Sequence, residues 1–359
     1  MEGSTASPRD RILSLQLLRF IAAAGVLLSH AADLTLSPAS AFWSFPWTGG
    51  VDIFFVISGI IMTILADGQF GSAGAARRFL LRRIIRIVPI YWLFAALMIA
   101  TILLLPAQVR YSQADPTSIV TSLMFVPWPR GDGQIVPILA QGWTLNYEAF
   151  FYVAFALALV HRRGLALLVA GFVGLALLHP FIALSAVAPR FWTDPIILEF
   201  VAGIGLAKAW LRGFRTGPWV AALLGGAALL LFTAAAPLAL GEIGRPVAAG
   251  IPAALLAAAF LFAAPSATPG PLVRAVAFAG DASYTLYLSH SFTINAVLLL
   301  LGGRSSGWVA MAIAVAAAMF AALIFHSMVE RPMLAALRRR FGANPRQCHN
   351  FSPHEWKAR

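Results

Sequence analysis

The sequence predicts an all-α, polytopic membrane helix bundle of about ten transmembrane helices, with both termini cytoplasmic. Three observations lead there. The 359 residues are 60% hydrophobic and 11% charged, against about 25% charged in an average soluble domain, and the mean hydropathy is +0.81. Ten apolar runs approach the roughly 20 residues that cross a hydrocarbon core. With the N-terminus inside, these runs leave twenty of the 26 Lys and Arg residues on the cytoplasmic side and five outside, with Arg19 inside a span. That asymmetry is the positive-inside rule. The excess of 26 basic over 14 acidic residues therefore reads as topology and attraction to anionic lipid, and no nucleic-acid partner is expected. Residues 1–337 read as one transmembrane domain and 338–359 as a short basic cytoplasmic tail. The single cysteine, Cys348, lies in that tail and excludes an intrachain disulfide.

The first segment, 12–32, is longer than a signal-peptide core and has no small-residue cleavage site, so it is expected to be a retained helix. It holds Arg19 and His30, eleven residues apart. That is about three turns, which puts both side chains on one face about 16 Å apart along the axis. Ionisable groups inside a span are costly and usually face a bundle interior or a watery cavity. The second segment, 48–66, carries Asp52 near its outer start, where it is expected to meet His30. A carboxylate there would orient the imidazole and raise its basicity, as a general base requires. A buried hydrogen bond that merely ties two helices is the open alternative.

The third segment, 84–105, follows a basic run. Arg77 and Arg78 read as anchors that snorkel to headgroups. Arg83 and Arg86, spaced i, i+3 and running into the membrane, suit a phosphorylated ligand, because guanidinium forks match phosphate oxygens. The stretch 117–127 is too short to span and reads as re-entrant or interfacial. In the fourth segment, 141–160, Thr144, Glu148 and Tyr152 share one face at i, i+4, i+8. Glu148 would sit about two turns below the outer surface, so it must be protonated, paired or facing water. The three together read as a cavity lining with a carboxylate for acid–base work. The alternative is an interhelical pair with an arginine such as Arg19.

Segments 165–181, 195–211, 218–236 and 247–264 follow as further apolar runs of about spanning length. Gly25, Gly171, Gly174, Gly203 and Gly205 are expected to permit close helix packing. On the ninth segment, 282–301, Ser283, Tyr287 and His290 form one stripe, for which interhelical hydrogen bonding is the preferred reading. The tenth, 308–329, ends in Val329-Glu330-Arg331-Pro332. Proline is expected to stop the helix and Glu330 and Arg331 to form a surface pair. His161, His179, His326, His349 and His354 attract no functional expectation. There is no Walker A loop, dinucleotide-binding glycine fingerprint or zinc spacing, so no metal is expected. No internal repeat is visible, which weakens a transporter built on inverted repeats.

Taken in order, these pieces resemble the acyltransferase family three membrane proteins, which modify cell-surface and exported polysaccharides. The resemblance rests on Arg19-x10-His30, Gly50-Val51-Asp52-Ile53-Phe54-Phe55-Val56-Ile57-Ser58-Gly59 and Arg82-Arg83-Ile84-Ile85-Arg86-Ile87-Val88-Pro89. It continues through Trp143-Thr144-Leu145-Asn146-Tyr147-Glu148, Ser283-Tyr284-Thr285-Leu286-Tyr287-Leu288-Ser289-His290 and Glu330-Arg331-Pro332. Thr144 and Asn146 depart from the commoner Trp-Ser-Leu-x-x-Glu form, and Ser289 stands where the family often has tryptophan. The resemblance implies a stand-alone O-acyltransferase, most often O-acetyl, of the bacterial inner membrane. Its donor would be cytoplasmic acetyl-CoA or another short acyl-CoA, and its acceptor a polysaccharide or glycolipid. Membrane lipid and polysaccharide export machinery would be its further partners. On that reading the CoA phosphates are expected to dock on Arg82, Arg83 and Arg86, with Arg19 drawing in the pantetheine arm. His30 would then act as the outer base, helped by Asp52 or Glu148, or briefly carry the acyl group itself, with Thr144, Tyr152, Tyr287 and His290 lining the substrate path. The rival readings are a polysaccharide or lipid-linked-sugar transporter and a non-catalytic scaffold in an export complex.

Overall fold

The computed structural model describes residues 8–45, 47–106, 114–235, 244–263, 270–302 and 307–341. Among these residues fourteen α-helices form and no strand does. They are α1 (Pro8–Thr35), α2 (Gly50–Leu65), α3 (Ala75–Leu104), α4 (Pro116–Leu123), α5 (Trp143–Ala158), α6 (Gly164–Leu178) and α7 (Val187–Thr193). Then follow α8 (Leu198–Leu211), α9 (Pro218–Ala235), α10 (Ile251–Phe262), α11 (Pro271–Asp281), α12 (Ser283–Leu301), α13 (Trp308–Phe325) and α14 (Arg331–Arg340). Every predicted segment is helical. Six stretches are long and apolar enough to cross a membrane: Leu13–Thr35, Trp47–Leu65, Ala75–Leu104, Gly164–Phe181, Ser283–Leu301 and Trp308–Arg340. The other four are shorter, 16 residues in α5, 14 in α8, and the apolar helices Pro218–Ala234 and Pro246–Phe262.

Helix α2 is the centre of the bundle, buried along most of its length against α1, α8 and α10. Its seam with α8 runs through two glycines. A Cβ on Gly203 would meet the Val56 carbonyl oxygen at 2.1 Å, and one on Gly59 the Phe200 carbonyl oxygen at 2.2 Å. Lipid tails are as apolar as the helices, so association depends on such close approach. Gly25 also packs closely, since an added Cβ there would lie 3.1 Å from the Trp47 carbonyl oxygen. Gly171, Gly174 and Gly205 do not, because a Cβ on any of them meets nothing within 4 Å. This corrects the packing role expected of those three. Gly203→Val is therefore expected to leave little monodisperse protein after detergent extraction, while Gly205→Val extracts like the parent. Size-exclusion chromatography of the two variants checks the contrast.

Around this centre, aromatic side chains fill the space between α3, α5, α6 and α8, with Phe55, Tyr91, Phe151, Phe155 and Phe200 almost fully buried. Outward, Leu97, Leu103 and Leu104 of α3, Leu167 and Leu177 of α6 and Phe320 of α13 are exposed. Apolar surface of this extent is an aggregation liability in water and ordinary in lipid. The chain is a multi-pass membrane protein.

Three differences from the sequence expectations have physical causes. Helix α3 starts at Ala75 rather than 84, because charged turns fail an apolar window yet remain helical at headgroup depth. The whole basic run thus lies on one helix. Helix α11 fills what reads as a loop, because an 11-residue amphipathic helix has no spanning run to betray it. It seats Gly280 against the Gln16 carbonyl of α1, where an added Cβ would lie 2.0 Å away. Pro332 does not stop the last helix. A π turn, His326–Glu330, hands α13 on to α14, with Pro332 in the first turn, where its missing N–H is tolerated. Helix α14 runs on through Arg338 to Arg340, and Cys348, His349 and His354 lie outside the described residues. The stretch 117–127 forms the eight-residue α4, held to α3 where the Tyr91 hydroxyl donates to the Ser122 carbonyl at 3.2 Å.

Candidate active site

A cluster of cations gathers where α1, α3 and α12 meet. Arg19 is only 8% exposed; its guanidinium donates to Ser283 Oγ at 2.8 Å and to Gln16 Oε1 at 3.2 Å. On α3 the Arg83 guanidinium lies 5.9 Å from the Phe79 ring and 6.0 Å from the Tyr152 ring, and its Nε is buried without a hydrogen-bond partner. Arg86 lies within electrostatic reach of Arg19, Arg83, Glu330 and Arg338, and Arg82 neighbours Arg83. Among the described residues, Arg19, Arg83 and Arg86 form no carboxylate ion pair. Converging cations without paired acids are costly in a membrane, and a multiply charged anion relieves that cost through charge-assisted hydrogen bonds.

Beyond the cations the expected face of α5 is assembled. Glu148 accepts a 2.6 Å hydrogen bond from Ser58 Oγ of α2. It does not pair with Arg19, although Arg19 and Arg83 are both within its electrostatic reach. Thr144 Oγ1 lies 2.8 Å from the Tyr287 hydroxyl, which itself donates to the Gln141 carbonyl. Gln141 Nε2 donates to the Leu288 carbonyl at 3.0 Å, and the Tyr284 hydroxyl to the Ile87 carbonyl at 2.9 Å. Helices α3, α5 and α12 are thus stitched together around Glu148 and Tyr152. Sequence reasoning missed Ser58 and Gln141. Both stand beside recognised motif residues, but their partners are 90 and 147 positions away.

At the far end of α1, the His30 side chain is 47% exposed, with Nδ1 4.0 Å from Asp33 Oδ2. Its ring stacks on His290 of α12, centroids 5.1 Å apart and planes at 30°. The stripe on the ninth segment thus reaches His30 directly, through a ring stack between α1 and α12.

Asp52 is not the partner of His30, which corrects the expected pairing. It is 1% exposed and accepts two hydrogen bonds from Arg245, 3.1 Å from Nε and 3.2 Å from NH2. The guanidinium stands 5.3 Å over the Trp143 ring. A planar fork satisfies a buried carboxylate better than one imidazole nitrogen does. The next-turn Asp33 is left as the acid nearest His30. Asp52 is thus held in a two-point ion pair with Arg245. Truncating Arg245 to Ala leaves a buried charge unpaired. The expected loss is about 1–3 kcal/mol, below that of a fully buried pair because Arg245 is 40% exposed. Thermal unfolding of the detergent-solubilised variant measures it.

A second constellation was also illegible. Thr285 Oγ1 and His326 Nδ1 each donate to Glu330 Oε2 at 2.6 Å, and Glu330 is 2% exposed. The surface pair expected of Glu330 and Arg331 is thereby corrected, and so is the dismissal of His326. The available signal was the i, i+4 spacing of His326 and Glu330. The π turn brings both inward, a distortion common near functional sites. His179 is likewise buried, 3.1 Å from Thr193 Oγ1.

The family model of an acyltransferase domain matches residues 12–327. The exopolysaccharide production protein ExoZ of Rhizobium meliloti (strain 1021) is 35% identical over 310 residues, covering 81% of this chain and 90% of that protein. No solved structure matches the chain.

Proposed function

The chain belongs to this acyltransferase family, acyltransferase family three, and on that premise we propose that it moves an acyl group, acetyl foremost, from cytoplasmic acyl-CoA to a hydroxyl of an extracytoplasmic or lipid-linked polysaccharide. The observation that carries the reading is a series of polar contacts between neighbouring helices. Arg19 bonds Ser283, Ser58 bonds Glu148, Thr144 meets Tyr287, and His290 stacks on His30, with Arg83 and Arg86 at the cationic end. Its cationic end suits the phosphates of coenzyme A, held by Arg82, Arg83 and Arg86, with Arg19 drawing the acylated arm into the bundle. Its imidazole end suits attack on, or proton removal for, the thioester carbonyl. Ten spans with cytoplasmic termini would set the cations inside and His30 outside, in a bacterial inner membrane. The relative's name ties that protein to exopolysaccharide production, which supports an exopolysaccharide as the acceptor here.

In this mechanism Asp33, 4.0 Å from His30 Nδ1, orients the ring and leaves Nε2 for the chemistry. The acyl C–S bond breaks and coenzyme A leaves as the thiolate, and the acceptor hydroxyl gives its proton to an imidazole nitrogen as its oxygen bonds the acyl carbon. Membranes containing the chain are expected to pass label from acyl-labelled acetyl-CoA to polysaccharide, and membranes without it are not. Equal labelling of both would return weight to a transporter or scaffold.

A further inference from the structure

Resting on that reading, we infer that His290 is a second catalytic imidazole, whose Nε2 takes the proton of the acceptor hydroxyl while His30 carries the acyl group. The starting observation is a nitrogen without a partner. His290 is 1% exposed and its Nδ1 lies 3.1 Å from the Leu286 carbonyl oxygen. A carbonyl only accepts, so Nδ1 bears the hydrogen and Nε2 of the neutral ring presents a lone pair. That Nε2 is buried and has no hydrogen-bond partner among the described residues. A histidine kept to join helices would bond across them. Here the single bond runs back one turn within α12, and nothing is joined. The nearby Tyr287 ring is 6.2 Å away, and its hydroxyl is committed to the Gln141 carbonyl. What faces His290 is the ring of His30, which is open to the outside.

Two adjacent imidazoles divide the labour of transfer. His30 Nε2 attacks the thioester carbonyl; the N–C bond forms, the C–S bond breaks, and coenzyme A leaves as the thiolate. Asp33 faces the acyl-imidazolium so formed. The acceptor oxygen then attacks the acyl carbon while its proton moves to His290 Nε2. The C–N bond breaks and His30 returns neutral. His290 gives its proton to solvent, balancing the one the thiolate takes up.

The test uses the full chain in membranes and acyl-labelled acetyl-CoA, first without and then with deacylated exopolysaccharide. His290→Asn retains an amide near the Nδ1 position and removes Nε2. His290→Gln is the companion should the first extract poorly. Either is expected to take label onto the protein at close to the parental amplitude, in a hydroxylamine-labile form, yet to pass it to polysaccharide at least 100-fold more slowly. His30→Gln takes no label. Parental turnover by the His290 variants overturns the inference. So does a proportional loss of both half-reactions in monodisperse protein, which is what a structural role produces. Turnover by the parent with no acyl-protein in any variant overturns the carrier step. A parent that neither takes nor transfers label overturns the acyltransferase reading itself.

Discussion

His30→Gln is expected to lower acyl transfer by two to four orders of magnitude, the range of a positioned base or nucleophile, in protein that still inserts and extracts normally. The geometry separates chemistry from fold at this position. The side chain is 47% exposed, and its charged neighbour among the described residues is Asp33, 4.0 Å away. Glutamine keeps a polar group near Nε2 but can neither accept a proton near neutral pH nor carry an acyl group. Exposed substitutions away from buried networks usually stay within about 0.5 kcal/mol of the parent. The measurement is the initial rate of label transfer at matched protein levels. A parental rate would remove His30 from the mechanism. Asp33→Asn retains the His30 imidazole and removes only the charge beside it, so a loss of about tenfold is expected.

Arg83→Gln and Arg86→Gln are each expected to raise the KM for acyl-CoA by about ten- to a hundredfold. The corresponding 1.5–3 kcal/mol is what a hydrogen bond to a charged group contributes. These side chains form no carboxylate pair among the described residues, so their removal breaks no internal bridge. Stability should hold or rise as like-charge repulsion falls. Arg77, exposed at the start of the same helix, is the control. Arg77→Gln should leave KM within about twofold, as fits a headgroup anchor. Acyl-CoA titration of the three variants reads the difference, and equal effects at all three would demote the pair to topology.

The helical class, the basic run and the face of Thr144, Glu148 and Tyr152 were legible because they are local. Hydropathy marks a span, and i, i+4 spacing marks a face. Pairing across helices was not legible. Asp52 could have met His30 by depth alone, but depth does not fix rotation about α2, and the partner that took it, Arg245, lies 193 residues away. Glu330 looked like a surface residue because proline normally ends a helix. A π turn, which leaves no mark in composition, rotated it inward. The bonding of His290 is not legible in sequence, because only coordinates reveal that one ring nitrogen bonds within its own helix while the other has no partner among the described residues.

The central claim is that the acyl group crosses the membrane while its carrier stays behind. Sealed inside-out vesicles expose the cytoplasmic face to added acetyl-CoA and enclose deacylated polysaccharide in the lumen. With label in the acetyl group, the lumenal polysaccharide is expected to become labelled in parent vesicles and not in His30→Gln vesicles. With label in the coenzyme A moiety, the lumen should stay unlabelled in both. Coenzyme A entering the lumen with the acetyl group, or acylation confined to polysaccharide on the cytoplasmic face, would contradict the account.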